Sequence, residues 1–231
     1  MIGNHAVPRL AGATTTWTLN KRDVGVGTVI VIAMCVTFSW LSSGASLLVT
    51  FLPGAAFAWL TLVYLYRNRQ ELPDTATFLP VYVLVLSIQF VHFAEEFVAG
   101  FRTDFPLLYG GQPYDASLFI IFNMIAYCVF AVASVLAFTK RLGFLLVPVL
   151  FFLMYGAIGN AIAHTCWSIM AHGYFPGLFT AQLYWIAGPW ALNTLTGGRH
   201  RRLVIGLTVG LAVVMVPLLT IFADTTSLGL G

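Results

Sequence analysis

Long apolar stretches, most of them wide enough to cross a lipid bilayer and almost free of charge, constrain this chain more than any other feature. They fall at about 24–41, 46–66, 77–99, 116–138, 143–170, 178–195 and 203–223. A helix needs roughly 20 apolar residues to cross the hydrocarbon core, at ~1.5 Å per residue. Hydrophobic residues make up 59% of the chain and charged ones 8%, which excludes an ordinary soluble domain. The expected fold is therefore all-α: a polytopic seven-helix transmembrane bundle over 24–223. A polar leader at 1–23 and a short tail at 224–231 flank it. Pro53-Gly54 is expected to bend the second span. Pro80 sits in the first turn of the third, where its missing N–H is harmless. Cys35, Cys128 and Cys166 all lie within spans and read as small packing residues rather than a disulfide framework.

The basic residues orient the bundle. With the N-terminus inside and seven crossings, Arg9, Lys21, Arg22, Arg67, Arg69, Lys140, Arg141, Arg199, Arg201 and Arg202 fall on the cytoplasmic side, and Arg102 alone falls outside. Ten to one is what the positive-inside rule expects of a multi-pass protein of the cytoplasmic (inner) membrane. The net charge of +3 is spread over these loops. The basic residues therefore read as topology determinants and contacts to anionic lipid, and they give no footprint for nucleic acid. The partners expected are the bilayer itself and a lipophilic small molecule; the oligomeric state is not readable.

Against this background Gln89-Phe-Val-His92-Phe-Ala-Glu95-Glu96-Phe97 is anomalous. Positions three and four apart share a helix face, so His92 meets Glu95 and Glu96 on one side. Ionisable groups at membrane depth are costly and by default mark a functional site. The topology places His92 roughly 10 Å below the outer surface, at ~1.5 Å per residue. Asn123 on the fourth span, and Asn160 and His164 on the fifth, come to a similar depth. His172, Tyr174 and Thr180 cap the same side, and Gln89 lies one turn below His92. The inner halves of the spans are almost purely apolar. The 100–115 loop, with Arg102, Asp104 and Gly110-Gly111, stands at the mouth as connector or lid. The small residues Gly156, Gly159 and Ala163 would let a neighbouring helix approach the fifth span closely.

Three blocks, His92-x-x-Glu95-Glu96, Asn160-Ala161-x-x-His164 and Tyr174-x-Pro176-Gly177-x-x-Thr180, occur in that order. In them the chain resembles the bacterial integral membrane proteins named for their HXXEE motif. The resemblance implies that these residues act as one constellation, and it names no substrate.

The residues allow several chemistries. In the first, His92, Glu96 and His164 hold zinc or iron with an open position, and Glu95 serves as general base toward a water activated there. Asn123, Asn160, His172, Tyr174, Thr180 and Gln89 then orient ligands or substrate. In the second, without metal, a glutamate in apolar surroundings and a histidine exchange protons with an isoprenoid-type lipid, as an isomerase or cyclase would. A proton-coupled transporter ranks third, because it needs polar groups continuing to the inner side. The plainest account is an interhelical bridge without catalysis.

Overall fold

The computed structural model describes residues 16–198 and 200–228. Residues 1–15 of the expected leader, with His5 and Arg9, together with Arg199 and the last three residues of the tail, lie outside the described residues. The described chain is helical, and its one antiparallel bridge joins Trp17 to Leu72. Among the described residues six helices are long and apolar enough to cross a membrane.

Helix α1 spans Lys21–Leu41 and starts three residues before the expected boundary. The cause is a capping box: the Asn20 side chain accepts from the Asp23 N–H and Asp23 accepts from the Asn20 N–H. Residues just before it are docked rather than loose. Leu19 is buried, and Trp17 packs edge-on against Phe138. Helix α2 spans Ser46–Arg67 and carries Pro53 within it. Gly54 is there for close approach, because a Cβ at this position would lie 2.5 Å from the Tyr155 Cβ. Helix α3, Thr75–Ala99, is capped by Asp74 and stopped by Gly100 in the left-handed region.

The 100–115 loop is largely structured. Helix α4, Phe101–Leu108, buries Phe101, Phe105 and Leu108, and Arg102 donates to the Tyr114 carbonyl to close the connection. Helix α5 covers Ala116–Thr139. Next comes one continuous rod, Gly143–Met170, made of a short 3-10 turn, α6 (Leu146–Phe151), a π-helical segment (Phe152–Gly159) and α7 (Asn160–Met170). It is the centre of the bundle: 89% of its most apolar window is buried, against 17–56% for the other candidate spans. A π-helical stretch is rare and often marks a functional site. Here it ends where Asn160 begins.

The expected sixth span, 178–195, is broken. Helix α8 covers Leu178–Ala181 and α9 covers Tyr184–Leu195, with a turn at Gln182 and Leu183. Neither piece is long enough to cross a membrane alone, so the candidate spans number six. Close packing on the rod also comes from α9, where a Cβ on Gly188 would meet Ile158 at 2.7 Å. Helix α10, Arg201–Ile221, completes the bundle. Buried hydroxyls away from the site bond mostly back to their own helices, as Thr50 does to Ser46, Thr61 to Phe57 and Thr196 to Leu192.

Candidate metal centre

His92 and Glu96 sit one turn apart on the buried face of α3, and α7 brings His164 against them. One carboxylate oxygen, Glu96 Oε1, lies 3.3 Å from His92 Nε2 and 3.3 Å from His164 Nε2. Both imidazoles are completely buried and Glu96 nearly so. The rings meet edge to face with centroids 4.8 Å apart. One ligand atom from each residue lies within 4.8 Å of the other two.

The surroundings hold His164 tightly. Phe101 of α4 tilts across the ring at 5.3 Å and Trp167 meets it edge-on at 4.9 Å. Trp167 is itself fixed by donating to the Tyr109 hydroxyl. On the remaining side is Gly177, whose φ is +91; a Cβ there would come within 2.5 Å of His164 Cε1 and 2.8 Å of Nδ1. A glycine is required at this position both for its backbone angle and for the space.

His92 is oriented from behind. Its Nδ1 is 2.8 Å from the Thr180 hydroxyl oxygen, and that hydroxyl donates in turn to Glu95 Oε2. Glu95 also accepts from the Thr180 N–H at 2.8 Å, the Phe179 N–H at 3.0 Å and the Tyr174 hydroxyl at 2.9 Å. The carboxylate is the stronger acceptor for the single Thr180 proton, so His92 Nδ1 must supply the proton of its own bond to Thr180. That assigns the tautomer: in neutral His92 the Nε2 facing Glu96 carries a lone pair. Two acceptor atoms, His92 Nε2 and Glu96 Oε1, then face each other 3.3 Å apart, and His92 Nε2 meets no donor among the described residues. A proton on His92 Nε2 or on the Glu96 carboxylate, or a cation held among the three side chains, resolves such an arrangement. Atoms bound to tetrahedral zinc at about 2.0–2.2 Å lie about 3.3–3.6 Å from one another, and both Glu96 separations fall at that edge length.

Glu95, expected as a general base, is held by donors from Tyr174, Phe179 and Thr180. Two donors on each carboxylate oxygen fill its acceptor positions, and they leave no lone pair to take a proton. It ties the loop before α8 to α3. Burial first, and the Glu95 carboxylate after it, raise the Tyr174 phenol above its ordinary value, so Tyr174 stays a donor. His172 lies outside the cluster: it is exposed, in a left-handed turn with φ 49.

The amides form a separate ladder one turn below. Tyr184 donates to Gln89 Oε1 at 2.7 Å, Gln89 Nε2 donates to the Tyr127 hydroxyl, and Tyr127 donates to Asn123 Oδ1 at 3.1 Å. Asn123 and Asn160 also donate back to their own helices, at the Phe119 and Gly156 carbonyls. Gln89, Asn123, Asn160 and Glu96 all line one apolar cavity of about 430 Å³. Sequence reasoning missed Tyr127 and Tyr184; Gly177 stood in the third block, and the structure adds that a Cβ there would collide with His164. Tyr127 was within reach, being four residues after Asn123 on one helix face; Tyr184 had no such signal.

No family model matches the chain, and no curated protein or solved structure matches it.

Proposed function

We propose that this chain is an integral membrane enzyme that acts on a lipophilic small molecule at a metal centre held by His92, Glu96 and His164. The observation that carries this reading is the buried convergence of His92, Glu96 and His164, with the His92 Nε2 lone pair set by the Thr180–Glu95 chain and turned toward the Glu96 carboxylate. Zinc or iron suits two imidazoles and one carboxylate. Such an ion would supply Lewis acidity toward water or a substrate oxygen. Glu96 belongs to both the cluster and the cavity wall, so a substrate in the cavity would approach the metal past its carboxylate. Glu95 and Thr180 act through His92 as positioning residues.

The reading includes seven crossings, with the N-terminus in the cytoplasm of a cell whose inner membrane holds the protein. Thr180 stands beside His92 near the end of α3, while Gly198 and His200 adjoin Tyr64 near the end of α2. In this reading the broken pair α8–α9 runs from one of these places to the other as the seventh crossing. Kinship with the HXXEE-motif proteins belongs to the same proposal.

A second reading, metal-free proton transfer by Glu96 with His92 or His164, is favoured by the contact of Glu96 with both rings and by its place on the cavity wall. Elemental analysis of detergent-purified protein separates the two. The metal reading expects about one ion per chain, lost in His164→Ala and Glu96→Gln while helicity is kept. A folded protein that takes up neither zinc nor iron on reconstitution would overturn it. Chelator-resistant turnover of an isoprenoid-type lipid, abolished by Glu96→Gln, would then establish acid/base work.

A further inference from the structure

The cavity reaching Glu96 has a shape and a chemistry that narrow the substrate. Along α5 it runs from Leu118 to Phe130, twelve residues or about 18 Å. At ~30 Å³ for a water-sized group, about 430 Å³ holds roughly fourteen such groups. That is the size of one chain. Its walls are aromatic and aliphatic, with Phe51, Phe122, Phe130, Phe151 and Tyr155 among them. The amide and carboxylate groups on its wall are Gln89, Asn123, Asn160 and Glu96, joined by a few hydroxyls such as those of Tyr127 and Thr37. Neither Lys nor Arg lines it, and its one charged residue is a carboxylate.

The mouth is identified by lining residues that are also exposed on the outer surface of the bundle. On α1 this is Thr37; on α5 they are Leu118, Ile125 and Val129. Facing rings of Phe38 and Phe122, with centroids 6.3 Å apart, bridge the two helices beside the opening. Since these helices are candidate membrane spans, the opening faces the acyl chains of the bilayer rather than water.

From these observations we infer that the substrate is a neutral, single-chain oxygenated lipid of about a dozen carbons or slightly more, which enters sideways from the membrane between α1 and α5. The inference rests on the enzyme reading above. A phosphate or diphosphate head finds no Lys or Arg on the lining and meets the Glu96 carboxylate, while the charge of a metal at the centre is already balanced by Glu95 and Glu96. An uncharged oxygen, as in an alcohol, aldehyde, ester or epoxide, is matched by the amides of Gln89, Asn123 and Asn160. Lipid tails are as apolar as the cavity wall, so moving the tail out of the bilayer contributes little affinity. The tail sets position and the head sets selectivity.

The test is photolabelling in phosphatidylcholine nanodiscs with a diazirine-bearing alcohol of about fifteen carbons, adducts being mapped by peptide mass spectrometry. The inference expects adducts on the cavity-facing residues of α1 and α5, reduced about tenfold when Ala126→Trp fills the space. Ala126→Leu, expected to reduce labelling less, serves if the indole prevents folding. An unlabelled linear or prenyl alcohol of that length competes, and which of the two competes better names the source of the chain; a prenyl diphosphate does not compete. Labelling spread evenly onto outward residues such as Val98 and Ile186 and indifferent to Ala126 variants would overturn the inference, as would equal competition by the diphosphate. Metal content is measured on the same samples. Metal without cavity labelling defeats this inference alone, and labelling retained in a protein that binds no metal defeats only the metal reading.

Discussion

Two glycines with the same backbone angle and different surroundings offer a controlled test of the metal centre. Gly100 has φ +92 and nothing within 4 Å of a built Cβ; Gly177 has φ +91 and would drive its Cβ to 2.5 Å from His164 Cε1. Alanine at either position is strained by about 1–3 kcal/mol, the usual cost of a non-glycine residue in such a region. At Gly177 the ring must also retreat by most of an ångström to reach ordinary contact, and Phe101 and Trp167 stand against it. Overpacking of that kind costs about 1–3 kcal/mol more. Gly177→Ala is therefore expected to be less stable than Gly100→Ala by about 1–3 kcal/mol in denaturant unfolding from detergent. It should also weaken metal binding through displacement of His164 Nε2, whereas Gly100→Ala should retain metal like the wild type. Competition with a chromogenic chelator reads the affinity. Equal losses of stability and equal metal affinity in the two variants would refute the claim that Gly177 makes room for a ligating ring.

Thr180→Val keeps the side-chain volume and breaks the link between Glu95 and His92; metal affinity should fall about 10–100-fold, with Thr180→Ser restoring most of it, as measured by the same chelator competition. Tyr184→Phe leaves the buried Gln89 carbonyl without its donor and should cost about 1–3 kcal/mol in unfolding while leaving metal content unchanged. Single cysteines at Gln112, Lys140 and Arg201, in a background without the native three, should be modified by impermeant reagent from opposite sides. Lys140 and Arg201 should share a side and Gln112 the other; modification of Arg201→Cys from the Gln112 side would exclude a crossing by 178–195.

Much of the fold was readable because the transfer of apolar helices into lipid, which dominates its energetics, depends on composition and length alone. Apolar length sets the spans, and the expected 100–115 bounds of the long loop fall where Gly100 ends α3 and Asp115 caps α5. The gathering of His92, Glu96 and His164 was also legible, since i, i+4 spacing fixes two of the three and the cost of buried charge calls for the third. Less visible was the division of labour between adjacent glutamates. Glu95 and Glu96 differ by about 100° around α3, and only the packing of α8 decides that one meets backbone N–H groups and the other meets imidazoles. The break at Gln182 and Leu183 was hidden for a similar reason: the residues are apolar enough for a span, and the turn comes from docking Thr180 against Glu95. Likewise, periodicity does not foretell a cavity, which is space left by α1 and α5 rather than a property of either.

Charge balance supplies an independent argument for what lies among the three ligands. Among the described residues neither Glu95 nor Glu96 pairs with Lys or Arg. Glu95 is only partly buried and its charge is met by four hydrogen bonds, whereas Glu96 is buried against the two imidazoles, so ionised Glu96 requires positive charges nearby. Protonating both imidazoles would supply them, but it sets two cations with ring centroids 4.8 Å apart, both fully buried. A divalent cation supplies the same charge at one point and leaves both histidines neutral, the state in which they are ligands. It also gives the lone pair of His92 Nε2 a partner, which the Thr180 and Glu95 chain behind it otherwise denies. On this argument Glu95 matters to the metal without touching it, through its charge as well as through Thr180. Glu95→Gln should therefore weaken divalent metal binding even with the geometry kept, and should weaken it more than Tyr174→Phe, which removes a donor and leaves the charge. Equal affinities in those two variants, measured by chelator competition, would show that the second carboxylate contributes geometry alone.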